Sequence, residues 1–300
     1  MSSNNNTNGT GTVLMPINQD FLDVFKDFMN SDQRAKVRAH NVRQYTEGII
    51  DLLLKDKITP FMKATERYEN LSWKRKLDSI RENYNPEIAE DIDNIFKIGG
   101  EGSHFNGDVS TDNLYRIIEL ANHLVENIFV KYFLEPEHQF GNENIFTIFS
   151  MLPLANRIYI LEKISCRYLN EAVIDRLSLA YTKNGEKCEA IKLLDKALQQ
   201  NVITSTFYAT QLIKLTDIEQ HLPALHEKNG DYGTTPEYSQ AIIADSGNVV
   251  VGLPTSKDIF DTKKAFDIFK EWFENDESKY PEFINLFFCL MATDTRQYTK

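Results

Sequence analysis

Apolar positions along this chain recur mostly with the period of a helix. Phe21, Val24, Phe25 and Phe28 stand at i, i+3, i+4 and i+7, one face of an amphipathic helix. A longer helix is predicted from Asp32, placed to cap it, through Val37, Val42, Tyr45, Ile49, Leu52 and Leu53 to about Asp56, with Pro60 as the interruption. Leu71, Leu77 and Ile80 predict a third helix ending before Asn85-Pro86, and Ile88, Ile92 and Ile95 a fourth. The stretch Gly99-Gly100-Glu101-Gly102-Ser103-His104 reads as a helix stop and tight turn, followed by a second turn at Asn106-Gly107. Ser110 is a good N-cap, and Asp112 lies where a carboxylate favours the helix dipole. Leu114, Ile117, Ile118, Ala121, Leu124, Val125 and Ile128 carry the helix so started to about Phe133.

These elements predict a helical bundle over residues 14–134, preceded by a Ser/Asn/Thr/Gly tail at residues 1–13 that is expected to be disordered. Glu135 to Asn144 reads as a linker. A helical repeat-like region follows over residues 145–228, where Gly185, Ala190 and Ala197 are small enough to let two antiparallel helices approach closely. Asn184-Gly185 makes the turn between them. Residues 203–219 offer another amphipathic helix. The C-terminal segment, residues 229–300, begins rich in Gly, Thr, Pro and Ser and holds the strand candidate Asn248-Val249-Val250-Val251-Gly252. Helices at about 258–275 and 280–292 close it. The expected class is all-α with at most one minor β element.

Composition narrows the functional classes. With 300 residues, of which 42% are hydrophobic and 11% aromatic, the chain can bury a sizeable core, and two packed domains are the natural expectation. A net charge of −11 opposes non-specific binding to nucleic acid or anionic membrane, since both need a positive field. Cys166, Cys188 and Cys289 are far apart and lack ligand spacing, so free thiols in a reducing cytoplasm are expected rather than a disulfide framework or zinc site. The N-terminal tract has no basic or apolar signal region, and no run reaches the roughly 18 apolar residues a membrane span needs.

Candidate chemistry is sparse. Basic residues concentrate only at Lys74-Arg75-Lys76 and at Arg34, Lys36, Arg38 and Arg43, where acidic neighbours make a solvated helix face the default reading. Glu119 and His123 stand one turn apart, a legitimate metal-ligand spacing, but lack a third ligand at a recognisable position. Tyr280, Phe283, Phe287 and Phe288 share helical spacing and read as core or interface. The glycines at 99, 100 and 102 follow a helix and not a strand, which excludes a dinucleotide fingerprint. No phosphate loop, nucleophile triad or cofactor motif is present in the sequence.

The bundle resembles the HEPN-like superfamily, named for higher eukaryotes and prokaryotes nucleotide-binding domains, and within it uncharacterised bacterial domains encoded near defence genes. The resemblance covers about residues 30–134. It rests on Val42-Arg43-Gln44-Tyr45-Thr46-Glu47 with the apolar run to Leu54, and on Ile98-Gly99-Gly100-Glu101-Gly102-Ser103-His104 before the last long helix. It implies dimerisation and, in active members, metal-independent RNA cleavage by a His preceded by an Arg at four to six intervening residues. There the His moves a proton and the Arg holds the scissile phosphate. His104 matches the family His. Residues 97–99 are Lys-Ile-Gly, so the window holds no Arg; Lys97 has the longest allowed spacing but lacks the guanidinium fork.

Ala180-Tyr181, Gly185, Ala190 and Ala197-Leu198 resemble one tetratricopeptide unit over about residues 170–203, which implies a groove that holds a protein partner. Two functional expectations follow. One is a non-catalytic interaction protein, its bundle dimerising or docking while the second half recruits a partner. The other is a ribonuclease using His104 with Lys97, or with an Arg such as Arg43.

Overall fold

The computed structural model describes residues 10–103, 108–135, 138, 143–150, 152–229, 241–243, 248–254 and 280–293. In chain order these form β1 (Thr10–Asn18), α1 (Gln19–Met29), α2 (Ala35–Ile49), α3 (Lys55–Ile58), α4 (Trp73–Asn83), α5 (Pro86–Ser103), α6 (Thr111–Leu134) and α7 (Glu143–Phe149). Then come α8 (Leu154–Ser165), α9 (Glu171–Lys183), α10 (Lys187–Gln199), α11 (Ser205–Asn229), β2 (Ala241–Ile243), β3 (Asn248–Pro254) and α12 (Pro281–Ala292). The class is all-α, with one small antiparallel sheet ordered β1-β3-β2.

That sheet corrects the expectation of a disordered tail. Residues 10–13 belong to β1, which pairs with β3 through Val13↔Val251 and Leu14↔Val250, while Ile242 of β2 also faces Val250. The polar composition before Val13 hid the strand because its partner, the predicted Asn248–Gly252 run, lies at the far end of the chain. Residues 1–9 and the helix predicted at about 258–275 lie outside the described residues.

The helices form where periodicity and caps place them. Ser110 Oγ accepts from the Asn113 N–H at 3.2 Å and starts α6, as predicted. α2 starts later than expected, at Ala35, because the Asp32 N–H is held by Asn30 Oδ1 at 3.0 Å in the preceding turn. Arg38 of α2 is buried and donates from Nε to the Phe28 carbonyl at 2.7 Å, closing the end of α1. A π turn over Ile50–Leu54 then keeps Ile50, Leu53 and Leu54 all buried before α3.

α6 is the central rod, packed against α2, α5, α8 and α12. Phe25 and Phe28 of α1 meet Tyr45 of α2 at 5.5 and 5.2 Å, while Phe283 of α12 meets Phe129 of α6 edge-on at 5.5 Å. Phe283, Phe287 and Phe288, expected as core or interface, are fully buried in this core. It continues without a break through α7 and α8 to Val173, Leu177 and Ala180 of α9. A second, smaller cluster joins α9, α10 and α11 through Ile174, Ala190, Leu194, Ala197, Ile203 and Leu215.

Candidate functional site

The glycine-rich stretch is helix, contrary to the expected stop and turn. Gly99 and Gly102 lie one turn apart in α5 and face α2. A Cβ at Gly99 would stand 2.7 Å from Arg43 Cβ and 2.9 Å from the Ala39 carbonyl; at Gly102 it would stand 2.7 Å from the Lys36 carbonyl. Glycine disfavours a helix by about 1 kcal/mol relative to alanine. Here the close backbone approach to α2 outweighs that local cost, a term that no reading of α5 alone contains.

His104, the residue matched to the family His, lies outside the described residues. Lys97 is exposed, and its Nζ pairs with Asp93 along its own helix at 2.8 Å. The cation seated at the end of α5 is Arg43 of α2. Its guanidinium lies 5.3 Å from the Phe96 ring centroid, its Nε donates to Glu47 at 2.9 Å, and its Nη1 is the atom a Cβ at Gly100 would meet, at 3.5 Å. The basic concentrations do not form one outward stripe. Arg38 is turned inward, as is Lys76, whose Nζ sits 2.8 Å from Asp51 and over the Tyr68 and Trp73 rings at 4.0 and 4.2 Å. Burial and the neighbouring Asp51 carboxylate push the Tyr68 phenol well above its ordinary range.

An open cleft of about 580 Å³ is lined by residues of α2, α6, α8 and α12. Its polar wall is built on α6. His123 Nδ1 pairs with buried Glu126 one turn on, and the other Glu126 oxygen accepts from Asn156 Nδ2 of α8 at 2.7 Å. The His123 ring stacks on Tyr159 at 4.2 Å and 7°, and the Tyr159 hydroxyl donates to Asn127 at 3.0 Å. The bond to Glu126, against the opposing effect of burial, holds the His123 pKa above its ordinary value. Asn122, also on this wall, carries a buried Oδ1 with no hydrogen-bond partner among the described residues. The one-turn spacing of Glu119 and His123 carried no site by itself in the sequence; in the structure His123 pairs with Glu126. The signal that could have found it is a carboxylate set inside the apolar stripe Leu124-Val125-Glu126-Asn127-Ile128.

Among the described residues, one group has metal-ligand proximity: Glu135, His138 and Glu282, with ligand atoms within 4.8 Å of one another. Lys57 Nζ already serves these carboxylates, 3.0 Å from Glu282 and 3.6 Å from Glu135, while Lys131 lies 3.7 Å from Glu135. Burial alone would lower the Lys57 pKa, yet Glu282 and Glu135 raise it, so the ammonium persists. The group is an ion-pair network fastening α12 to α3 and to the end of α6.

α9 and α10 form a hairpin whose turn needs Gly185, at φ 81°, and whose interior is closed by Ala190 and Ala197. α11 packs on both helices, and buried Gln211 donates to Ser178 Oγ at 2.9 Å and to the Asp175 carbonyl at 3.2 Å. Its outer side carries Ile213, 71% exposed, beside a shallow groove lined by Leu212, Thr216, Asp217 and Gln220. No described helix is long and apolar enough to cross a membrane. No protein-family model matches the chain, and no curated protein or solved structure matches it either.

Proposed function

We propose that the chain is a non-catalytic interaction protein of HEPN-like build, whose N-terminal bundle dimerises or docks while α9–α11 recruits a protein partner in the cytoplasm. The observation that carries this reading is the internal engagement of the cations a phosphate-handling site would draw on. Lys97 pairs with Asp93, Arg43 with Glu47, Lys76 with Asp51, and Arg38 with the Phe28 carbonyl, in a chain of net charge −11. The exposed Ile213 side of α11 supplies an apolar contact on the repeat-like region. The resemblance extends the reading to an accessory role in a bacterial defence or stress system.

One observation favours a second reading, a metal-independent ribonuclease using His104. Arg43 rests on Gly99 and Gly100 near the end of α5, the helix that leads into His104, and would bring the guanidinium that the family window lacks. The test is incubation of the purified chain, His104→Ala and Arg43→Ala with labelled total RNA and tRNA in EDTA. The interaction reading expects intact RNA in all three, a dimeric or complexed mass by light scattering, and loss of a captured partner in Ile213→Asp. RNA cleavage abolished by both substitutions overturns it in favour of the nuclease.

A further inference from the structure

A second cavity, of about 170 Å³, lies where the N-terminal end of α5 meets the C-terminal halves of α6 and α8. Charges of both signs line it: Glu87 and Asp91 of α5, Lys131 of α6, Lys163 of α8, and Arg167 just beyond α8. Three of the five are matched, since Arg167 pairs with Glu87 at 2.8 Å and Lys131 with Glu135 at 3.7 Å. Asp91 and Lys163 are not matched in this way. Among the described residues, half-buried Asp91 takes one long hydrogen bond, from Asn127 Nδ2 at 3.4 Å, and exposed Lys163 rests 5.4 Å from the Tyr159 ring centroid. Neither makes an ion pair with the other or with any other described residue. Asn127 is itself fixed, its Oδ1 accepting from the Tyr159 hydroxyl at 3.0 Å. Burial, then Glu90 and Glu87, push the Asp91 carboxyl above its ordinary pKa, while Asn127 and Lys163 pull it back.

A carboxylate drawn partly out of water without a cation is costly, and here the nearby ammonium acts on it without reaching it. A molecule that carries both charges completes both ion pairs at once. We propose that this cavity binds a small aliphatic α-amino acid, its ammonium on Asp91 and its carboxylate on Lys163. Ile88, Val130 and Leu134 give its short side chain an apolar wall. Size sets the limit: at the roughly 30 Å³ a water molecule occupies, the cavity holds about six non-hydrogen atoms, the number in alanine. A simple anion would leave Asp91 without a cation, and a simple amine would leave Lys163 without an anion. The site goes beyond the interaction reading and does not depend on it.

L-alanine, propionate and ethylamine share one skeleton, and the last two each lack one of the charges. Saturation-transfer NMR on the full chain compares them. L-alanine is expected to bind saturably with Kd on the order of 1 mM, and the two singly charged probes at least about tenfold more weakly. Asp91→Asn should weaken L-alanine by about tenfold or more and erase its advantage over propionate. Lys163→Gln should weaken it as much and erase its advantage over ethylamine. Because Lys163 is exposed, Lys163→Gln should keep the parent's thermal midpoint, so this arm decides the matter even where Asp91→Asn fails to fold. The proposal is overturned by L-alanine that does not bind saturably or binds no better than either analogue. Undiminished L-alanine binding in a folded variant of either residue also overturns it. RNA cleavage and partner capture enter none of these readouts, so failure here leaves the interaction reading where it stood.

Discussion

The bundle and the α9–α11 unit solve the same burial problem with different side chains. In the bundle, large rings interlock: Phe129 meets Phe133, Phe149 and Phe283 at 5.2, 5.7 and 5.5 Å, joining α6 to α7 and α12. In α9–α11 the interior is closed by Ala190 and Ala197 with a few aliphatic residues, and by the polar tie from Gln211 to Ser178. A ring that touches several helices couples them into one cooperative unit. An alanine interface lets two helices approach but binds them only to each other, as in repeat proteins. The bundle is therefore expected to unfold as a whole, and α10–α11 to open first.

Truncating each interior breaks or upholds that contrast. Phe129→Ala should cost about 4 kcal/mol and lower the urea midpoint of every helix together. Leu194→Ala, also at a fully buried position, should cost about 3 kcal/mol, with the loss local. Hydrogen exchange would quicken in α10 and α11 while α6 keeps its protection. Equal loss of protection in α6 would mean that the two cores are one.

Smaller effects distinguish backbone approach from side-chain packing. Gly102→Ala should destabilise by about 2 kcal/mol, because the new methyl meets the Lys36 carbonyl, which cannot swing aside. Gly100→Ala meets only the end of Arg43 at 3.5 Å, so the gain in helix propensity should stabilise by up to about 1 kcal/mol. Opposite signs for two glycines two positions apart would confirm the packing role; a shared sign would return the stretch to the turn that composition predicts.

That pair also shows where sequence reading stops. Features internal to one element were legible: the Ser110 cap, the 3.6-residue stripe of α6, the Asn184-Gly185 turn and the β3 run. Features that depend on a distant partner were not. Glycines read as a break because α2 is invisible from α5, the start of β1 read as a tail because β3 is far along the chain, and the pairing of His123 with Glu126 was not foreseen. Both glutamates lie within one turn of His123, and only the fold buries Glu126 and brings Asn156 to it. Of the candidate site residues, Lys97 was chosen by its spacing from His104, and its pair with Asp93 was not foreseen.

The His123–Glu126 pair gives a pH test of the polar seam that fastens α8 to α6. Its folded-state pKa is raised, so the stability it contributes is fully present below the unfolded value of about 6.5 and is lost as pH rises through the folded value. The urea midpoint should therefore fall across that window in the parent chain and run flatter in His123→Gln and in Glu126→Gln. A slope preserved in both variants would move the titration elsewhere.

The smallest expected effect bears most directly on function. Ile213 and Leu215 stand two positions apart on α11, which turns them to different sides of the helix: Ile213 is 71% exposed and Leu215 fully buried against α9 and α10. Leu215→Ala should cost about 3 kcal/mol, whereas Ile213→Ser should change stability by no more than about 0.5 kcal/mol. A near-neutral Ile213→Ser leaves this exposed apolar side chain without a folding reason in the monomer, which is the condition a recruiting surface requires. A loss of more than about 1 kcal/mol would instead make the outer side of α11 part of the fold's own packing, and the partner would have to be sought on another surface.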